Sequence, residues 1–292
     1  MLYSINDLEK LTGIKSHTIR MWEKRYHILN PERTSTNIRY YHDNDLKKLL
    51  NISTLNRHGF KISHIARMGD EEIQAKIMEI THTGSDEESQ IENLVIGMLD
   101  LNEQTFDKNL HRAILKKGFE TTVTRIIYPF LEKVGVLWQI GTINPAHEHF
   151  ITNLIRQKLI IAIDGLSGVS KFNGKTFLLF LPEHEMHEIG LLFYQYILKK
   201  NGFHVLYLGQ SVPFRDLLEI PDTHQINYLL TYFVAAMNPE EISQYIRKLS
   251  DSFPDKTIFV TGKQIQDTSI SLPRNVISIK DTETFRQMLD KL

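Results

Sequence analysis

Hydrophobic and polar positions divide the 292-residue chain into three consecutive regions. Residues 1 to about 70 contain short amphipathic stretches that end at sharp turns, and they predict short helices and a two-stranded wing. Residues 91 to about 168 contain four longer stretches with helical spacing, which predict a small bundle. From about residue 173 onward, five continuous apolar runs alternate with helical stretches. Strands that are apolar on both faces indicate a parallel sheet covered by helices on both sides.

These patterns predict a multidomain protein of α and α/β structure. The predicted segments are an N-terminal winged helix-turn-helix over 1–75, a polar linker over 76–90, a four-helix bundle over 91–170 and a doubly wound domain over 171–292. In doubly wound domains, ligands bind beyond the carboxyl ends of the strands. Candidate chemistry in the last segment is therefore expected in the loops that follow its strands.

The composition excludes several kinds of site and indicates one kind of partner. The chain has no cysteine, which excludes disulfides, thiolate metal sites and thiol nucleophiles. No apolar run approaches the roughly 18 residues of a membrane helix, and no signal-peptide pattern opens the chain, so we expect a cytoplasmic protein without a membrane partner. Residues 1 to 70 carry 12 lysines and arginines against 7 acidic residues, although the net charge of the whole chain is −1. This basic first segment indicates an anionic partner such as a nucleic acid.

Two short predicted helices meet at the Thr12-Gly13 turn, an arrangement typical of a helix-turn-helix. The second helix, residues 16 to 26 with Ser16 as its expected N-cap, would be the recognition helix. Its side chains that can donate hydrogen bonds to base edges and phosphates are His17, Thr18, Arg20, Lys24 and Arg25. The candidates on the predicted wing are Arg33, Arg39 and Tyr41. The alternative is a small helical module whose basic residues are only solvated.

The stretch from Thr18 to Ile65 resembles the DNA-binding domain of MerR-type regulators. That family has an Arg-x-Trp-Glu-(Arg/Lys)-Arg segment, a Pro-x-Arg turn and an Arg-x-Tyr in the wing. The matching residues here are Arg20, Trp22, Glu23, Arg25, Pro31, Arg33, Arg39 and Tyr41. The resemblance implies a winged helix-turn-helix that binds palindromic double-stranded operator DNA as a dimer. Metal-sensing members use cysteines, so the chain lies outside that branch.

A polar loop with candidate metal chemistry follows the first predicted strand of the sheet. His187 can ligate a metal there, and Glu185 can accept the other ring N–H and so select the tautomer. Gly190 removes a side chain at the start of the next helix, where a bulky group could approach the backbone. Because no second ligand stands at zinc-site spacing, a single histidine indicates a metal already held by a macrocycle. The alternative is a polar loop with a surface histidine.

The region from about 90 to 292 resembles cobalamin-binding modules, which combine a helical cap with a flavodoxin-like (Rossmann-type) domain. Their signature is (Asp/Glu)-x-His-x-x-Gly, then Ser-x-Leu, then Gly-Gly. The first element is complete here, and the resemblance implies that His187 is the lower axial ligand of cobalt. The second reads Thr231-Tyr232-Phe233 and the third Thr261-Gly262, so each is altered. These departures are expected to tighten or reshape the pocket for the nucleotide tail of the cofactor.

The predicted bundle contains a second motif, in which Trp138 precedes Glu148-His149 by nine intervening residues. It resembles the Trp-x9-Glu-His signature of cobalamin-dependent photoreceptor repressors of the MerR group, where the motif covers the upper corrin face. An indole can pack on an adenosyl group, and Glu and His can hydrogen-bond its ribose. The alternative is a core tryptophan and a solvated helical turn. Light sensors have a histidine directly after the tryptophan, where this chain has Gln139, a poor cobalt ligand.

The sequence therefore predicts a non-enzymatic DNA-binding repressor controlled by cobalamin, with adenosylcobalamin as the expected form and photolysis of its cobalt–carbon bond as the expected light signal. We expect it to act as a homo-oligomer, either a dimer or a tetramer. The predicted cofactor-binding residues are Trp138, Glu148, His149, Glu185, His187, Gly190, Ser211, Thr231 and Gly262. One alternative is a MerR-type regulator whose cobalamin-like domain senses another ligand or a protein. Another is a cobalamin-dependent enzyme subunit, for which no residues remain to build a substrate domain.

Overall fold

The computed structural model describes residues 3–34, 37–73, 75–76, 87–139, 143–166, 174–220, 225–235, 237–266 and 270–292. Most of the predicted linker, residues 77–86, lies outside the described residues, as does the side chain of Gln139. The chain divides into two compact units, Met1–Leu154 and Ile155–Leu292. Across the described ranges, no helix combines the length and the apolar character that a membrane span requires.

The first two helices form the predicted helix-turn-helix. Helix α1, Ile5–Thr12, ends at Gly13, whose φ of 72° is the left-handed conformation that favours glycine. Helix α2, Ser16–Tyr26, follows directly. The predicted cap of α2 is wrong, because Ser16 is the first helical residue. The Glu9 carboxylate instead accepts hydrogen bonds from the Ser16 N–H and hydroxyl, at 2.9 and 2.6 Å, and so satisfies the start of the helix.

The wing and two further helices complete the N-terminal segment. Strand β1, Glu32–Arg33, pairs antiparallel with β2, Arg39–Tyr40. Helices α3, Asp43–Arg57, and α4, Ile62–Ile65, follow. The predicted order of two helices, a wing and two helices is therefore confirmed.

The predicted bundle contains α5 Glu87–Leu99, α6 Glu103–Lys117, α7 Phe119–Thr122, α8 Tyr128–Gln139 and α9 Pro145–Asp164. One long predicted helix is interrupted by a π turn, Val123–Ile127, which joins α7 to α8. Pro129 stands just after this turn. Because a proline ring collides with the carbonyl four residues earlier in a regular α-helix, a wider turn at this point relieves the clash.

A buried ion pair joins α3 of the N-terminal segment to α5 of the bundle within the first unit. Glu92 is 1% exposed and accepts hydrogen bonds from Arg57 Nη2 at 2.6 Å and from the Thr54 hydroxyl. Burial raises the pKa of Glu92 and the Arg57 guanidinium opposes this rise. A buried carboxylate needs such partners, because an unpaired charge in the interior is strongly destabilising.

The second unit contains a five-stranded parallel sheet in the order β4-β3-β5-β6-β7. The strands are β3 Thr176–Pro182, β4 His204–Val212, β5 Tyr228–Tyr232, β6 Thr257–Thr261 and β7 Val276–Ser278. All seven residues of β3 are buried, as expected for a strand covered on both faces. The strand order is flavodoxin-like, so the predicted fold class is confirmed, and the order reverses between β3 and β5.

Helices on both faces of the sheet agree with the predicted alternation. They are α10 Ile189–Lys200, α11 Phe214–Leu217, α12 Pro239–Ser252, α13 Lys263–Gln266 and α14 Thr282–Leu289. On one face, Leu178, Leu229 and Ile246 belong to a buried hydrophobic cluster. Elsewhere in the sheet core, Phe177 and Phe285 each pack against Phe259. These cores hold the strand ends, and the loops that follow them, in position.

Candidate functional site

Helix α2 has one apolar face and one basic face. Ile19 and Trp22 are buried, and Trp22 therefore belongs to the core of the N-terminal segment. The candidate DNA-contacting side chains of α2 lie on the other face, where His17, Arg20, Lys24 and Arg25 are exposed and Thr18 is half-buried. Exposed guanidinium and ammonium groups on one helix face can bind phosphates and base edges.

The wing candidates fall into two different environments. Arg33 is exposed and hydrogen-bonds Asn37 at 2.6 Å. Arg39 and Tyr41 both bind the carboxylate of Glu23 on α2, at 3.1 and 3.0 Å. Tyr41 is fully buried. It therefore belongs to the core, where its hydrogen bond to Glu23 links the wing to α2. Its contact with DNA stays a prediction.

His187 lies in the loop between β3 and α10 with its ring oriented by Glu185. The ring Nδ1 is 2.6 Å from Glu185 Oε1, and the same oxygen accepts the His187 backbone N–H at 3.0 Å. A carboxylate can only accept, so Nδ1 carries the proton and Nε2 is the nitrogen that can ligate a metal. The His187 side chain is 57% exposed, which leaves it accessible to a ligand.

Glu185 is buried and is held by a segment that is distant in the sequence. Its second oxygen accepts the backbone N–H groups of Val234 and Ala235 at 2.9 and 2.7 Å. Burial alone would raise the pKa of Glu185. Hydrogen bonds from His187, Ala235 and Val234 outweigh burial and lower the pKa to about 2. Glu185 therefore stays ionised at neutral pH and keeps the His187 tautomer fixed.

Ser211 and Thr231, two further predicted cofactor contacts, have different surroundings. Ser211 accepts the His184 N–H at 3.0 Å, and its own N–H donates to the Glu185 carbonyl at 3.1 Å. Ser211 thus holds the loop against the end of β4. Thr231 is fully buried, and its hydroxyl has no hydrogen-bond partner within the described part of the chain. A ligand atom that reached this hydroxyl would satisfy it.

The two predicted glycines lie where a side chain would collide. Gly262 has a φ of 107°, and a Cβ built on it would lie 2.2 Å from the Phe233 carbonyl oxygen. A Cβ on Gly190 would lie 2.4 Å from Tyr232 Cζ. The Gly190, Thr231-Tyr232-Phe233 and Gly262 segments, which are far apart in the sequence, therefore meet at one end of the sheet.

A buried carboxylate that the sequence did not single out lies beside His187. Glu188 is 6% exposed and accepts hydrogen bonds from Arg156 on α9 and from the Tyr207 hydroxyl on β4, the latter at 2.9 Å. Burial and the Glu188 carboxylate raise the pKa of Tyr207. The three residues line a groove of about 320 Å³. In the sequence, Glu188 stands out only because it directly follows the candidate ligand His187. Nothing in the sequence indicates that Arg156 and Tyr207 are its partners.

The Trp138 motif lies in the first unit. Trp138 is 48% exposed whereas its neighbour Leu137 is fully buried, so the indole is available for contact and is not a core residue of the bundle. Glu148 is half-buried, accepts the Thr152 hydroxyl at 2.9 Å and lies 3.0 Å from His149 Nδ1. The His149 ring is exposed. These side chains offer an aromatic face and polar groups to a ligand.

Two family models match separate parts of the chain. A family model described as "MerR HTH family regulatory protein" matches residues 3–72. A model described as "B12 binding domain" matches residues 90–162. The predicted DNA-binding segment and the predicted helical bundle are therefore each matched by a family model.

Two curated relatives match most of the chain. The HTH-type transcriptional repressor CarH of Myxococcus xanthus is 27% identical over 259 residues, which are 86% of this chain and 85% of that protein. The repressor CarA of the same organism is 27% identical over 256 residues, which are 84% and 81% of the two chains. Both are transcriptional regulators and not enzymes, as the sequence predicts for this chain.

A solved structure shares the fold of much of the chain. The monomethylamine corrinoid protein of Methanosarcina barkeri superposes with a TM-score of 0.52 at 14% identity, over 71% of this chain and all of that one. This likeness supports the fold of helices followed by a parallel sheet. The family models and the two Myxococcus relatives, taken together, show a chain with a MerR-type helix-turn-helix at residues 3–72 and a B12-binding domain at 90–162, the combination of a transcriptional regulator related to these repressors.

Proposed function

We propose that the protein is a cytoplasmic transcriptional repressor whose binding to operator DNA is controlled by adenosylcobalamin. The observation that carries the proposal is the Glu185–His187 pair beyond the carboxyl end of β3. The names of the two Myxococcus relatives support the repressor role. The basic face of α2 supports the DNA-binding role.

The donor set of the loop suits a cobalt that already has its equatorial ligands. A corrin supplies four nitrogens in its plane, so the protein has to supply one axial ligand. The ionised Glu185 accepts the proton on Nδ1 of His187. The ring is therefore oriented with Nε2 as the nitrogen that would bind the metal.

The Trp138 motif is the proposed contact for the upper ligand. The half-exposed indole could pack on an adenosyl group, and Glu148 and His149 could hydrogen-bond its sugar hydroxyls. When bound, adenosylcobalamin would supply a cobalt–carbon bond that light breaks. We propose loss of this upper ligand as the signal that releases DNA. Because Gln139 follows Trp138, no histidine at that place would take the upper cobalt position after illumination.

We propose that the regulator responds to its cofactor by placing two N-terminal domains on a palindromic operator. Two copies of α2 would enter the major groove at half-sites about 34 Å apart, or a multiple of that distance. Cofactor binding can drive this assembly only if the assembled dimer or tetramer binds cobalamin more tightly than the dispersed chains.

One reconstitution experiment tests the cofactor and the control of DNA binding together. Protein loaded with adenosylcobalamin in the dark should show a spectrum with histidine as the lower ligand and should shift a fragment of its own promoter in gel electrophoresis. Green light should change the spectrum and release the fragment. The His187→Ala variant should lose the histidine-ligated spectrum, whereas His184→Ala, in the same loop, should retain it. A wild-type protein that binds promoter DNA but takes up no corrinoid would overturn the proposal and favour a sensor of another ligand.

A further inference from the structure

The Tyr232 ring lies directly over Gly190 in the first turn of α10. A Cβ built on Gly190 would lie 2.4, 2.6 and 2.8 Å from three carbons of the Tyr232 ring. The ring therefore packs on the glycine backbone itself. The sequence predicts that a bulky ligand approaches the backbone at Gly190, and a side chain of the protein occupies that space instead.

Further aromatic residues hold the Tyr232 ring in place. Its centroid lies 6.0 Å from that of Tyr194 on α10. Tyr194 packs edge-on against Phe285 on α14, at 5.2 Å. Moving the Tyr232 ring would therefore break packing on more than one side.

The position of this aromatic group matters for a corrinoid ligated through His187. In free cobalamin, the base of the cofactor's own lower nucleotide occupies the lower cobalt site. If His187 takes that site, the displaced nucleotide needs a cleft in the protein. In a doubly wound sheet such a cleft lies at the carboxyl ends of the strands where their order reverses, which here is between β3 and β5. Gly190 is three residues after His187 and lies at this end.

We propose that Tyr232 is a specificity-determining residue that closes the nucleotide cleft and makes the site favour corrinoids without a lower nucleotide. The inference rests on the proposed binding of a corrinoid at His187. Complete cobalamin would have to expel the Tyr232 ring, whereas cobinamide, which ends before the nucleotide, would not. Expelling the Tyr232 ring would expose one aromatic side chain to water. This cost corresponds to an affinity for cobalamin about tenfold to hundredfold lower than that for cobinamide.

Titrations with two corrinoids test this discrimination. The full-length protein is titrated in the dark with adenosylcobalamin and with adenosylcobinamide, and binding is followed by absorption and equilibrium dialysis. The wild type should bind adenosylcobinamide at least about tenfold more tightly. Tyr232→Ala should open the cleft and bring the affinity for adenosylcobalamin to that for adenosylcobinamide or above it. Tyr232→Phe keeps the ring and should behave as the wild type.

The outcomes separate this inference from the proposed function. If both corrinoids bind in a His187-dependent manner and the wild type binds cobalamin as tightly as cobinamide, the specificity role of Tyr232 is refuted and corrinoid binding stands. If neither corrinoid binds to the wild type or to Tyr232→Ala, both proposals are refuted. If cobalamin binds to Tyr232→Ala but not to the wild type, the closed cleft is supported and control of the wild type by complete adenosylcobalamin is refuted. If Tyr232→Ala does not fold, Tyr232→Leu takes its place, and the ratio of the two affinities must still fall relative to the wild type, because displacement of the cobalamin base by His187 contributes equally in both proteins.

Discussion

The substitution Glu185→Gln tests whether one buried carboxylate organises the loop that presents His187. In the wild type the two Glu185 oxygens accept the His187 ring N–H and the backbone N–H groups of His187, Val234 and Ala235. Glutamine has one accepting oxygen, and its amide nitrogen would face N–H donors. At least one buried donor would therefore lose its partner, and the tautomer of His187 would no longer be set.

The magnitude follows from the pKa of Glu185, which is lowered from 4.5 to about 2. This difference corresponds to about 3 kcal/mol of folding free energy at neutral pH. Because the folded-state pKa is the lower one, the contribution is fully present above about pH 4.5 and is lost as the pH falls towards 2. The difference in stability between the wild type and Glu185→Gln should shrink over the same interval.

Amide hydrogen exchange measures this effect locally. At pH 7 the protection factors of Val234 and Ala235 should fall by about a hundredfold in Glu185→Gln. Affinity for corrinoid should fall about tenfold to a hundredfold, as when a metal-ligating histidine loses its orienting carboxylate. Glu183→Gln is the control, since Glu183 is an exposed acid of the same loop. Equal protection in Glu185→Gln and the wild type would refute the reasoning.

Three further substitutions test other parts of the chain. Arg57→Ala should destabilise the first unit by about 3 kcal/mol, because it leaves the buried Glu92 carboxyl group without its charged partner; an unchanged melting temperature would contradict this. Gly262→Ala should cost about 3 kcal/mol or more in urea unfolding, because both its φ of 107° and the Phe233 carbonyl exclude a Cβ. Lys24→Ala should weaken DNA binding similarly for all sequences and lower the salt slope by about 1, whereas Lys108→Ala, on the exposed face of α6, should leave both unchanged.

Much of the fold follows from local patterns in the sequence. The strands of the sheet are apolar on both faces, and the helices between them are marked by caps such as Asn238 before Pro239. The spacing of His187 from Glu185 and Gly190 likewise identified the candidate ligand without the structure. These features depend on residues within a few positions of one another, which is the range over which backbone periodicity and capping act.

The tertiary structure alone decided which distant groups complete the site. Glu185 takes its second set of hydrogen bonds from Val234 and Ala235, some fifty positions away, because β3 and β5 are neighbours in the sheet. The same adjacency places Tyr232 over Gly190. Local periodicity specifies that these strands exist but not which of them pair, since strand order depends on how the whole core packs. The sequence by itself therefore determined the candidate ligand His187 and its orienting acid Glu185, and the order of the strands determined what surrounds them.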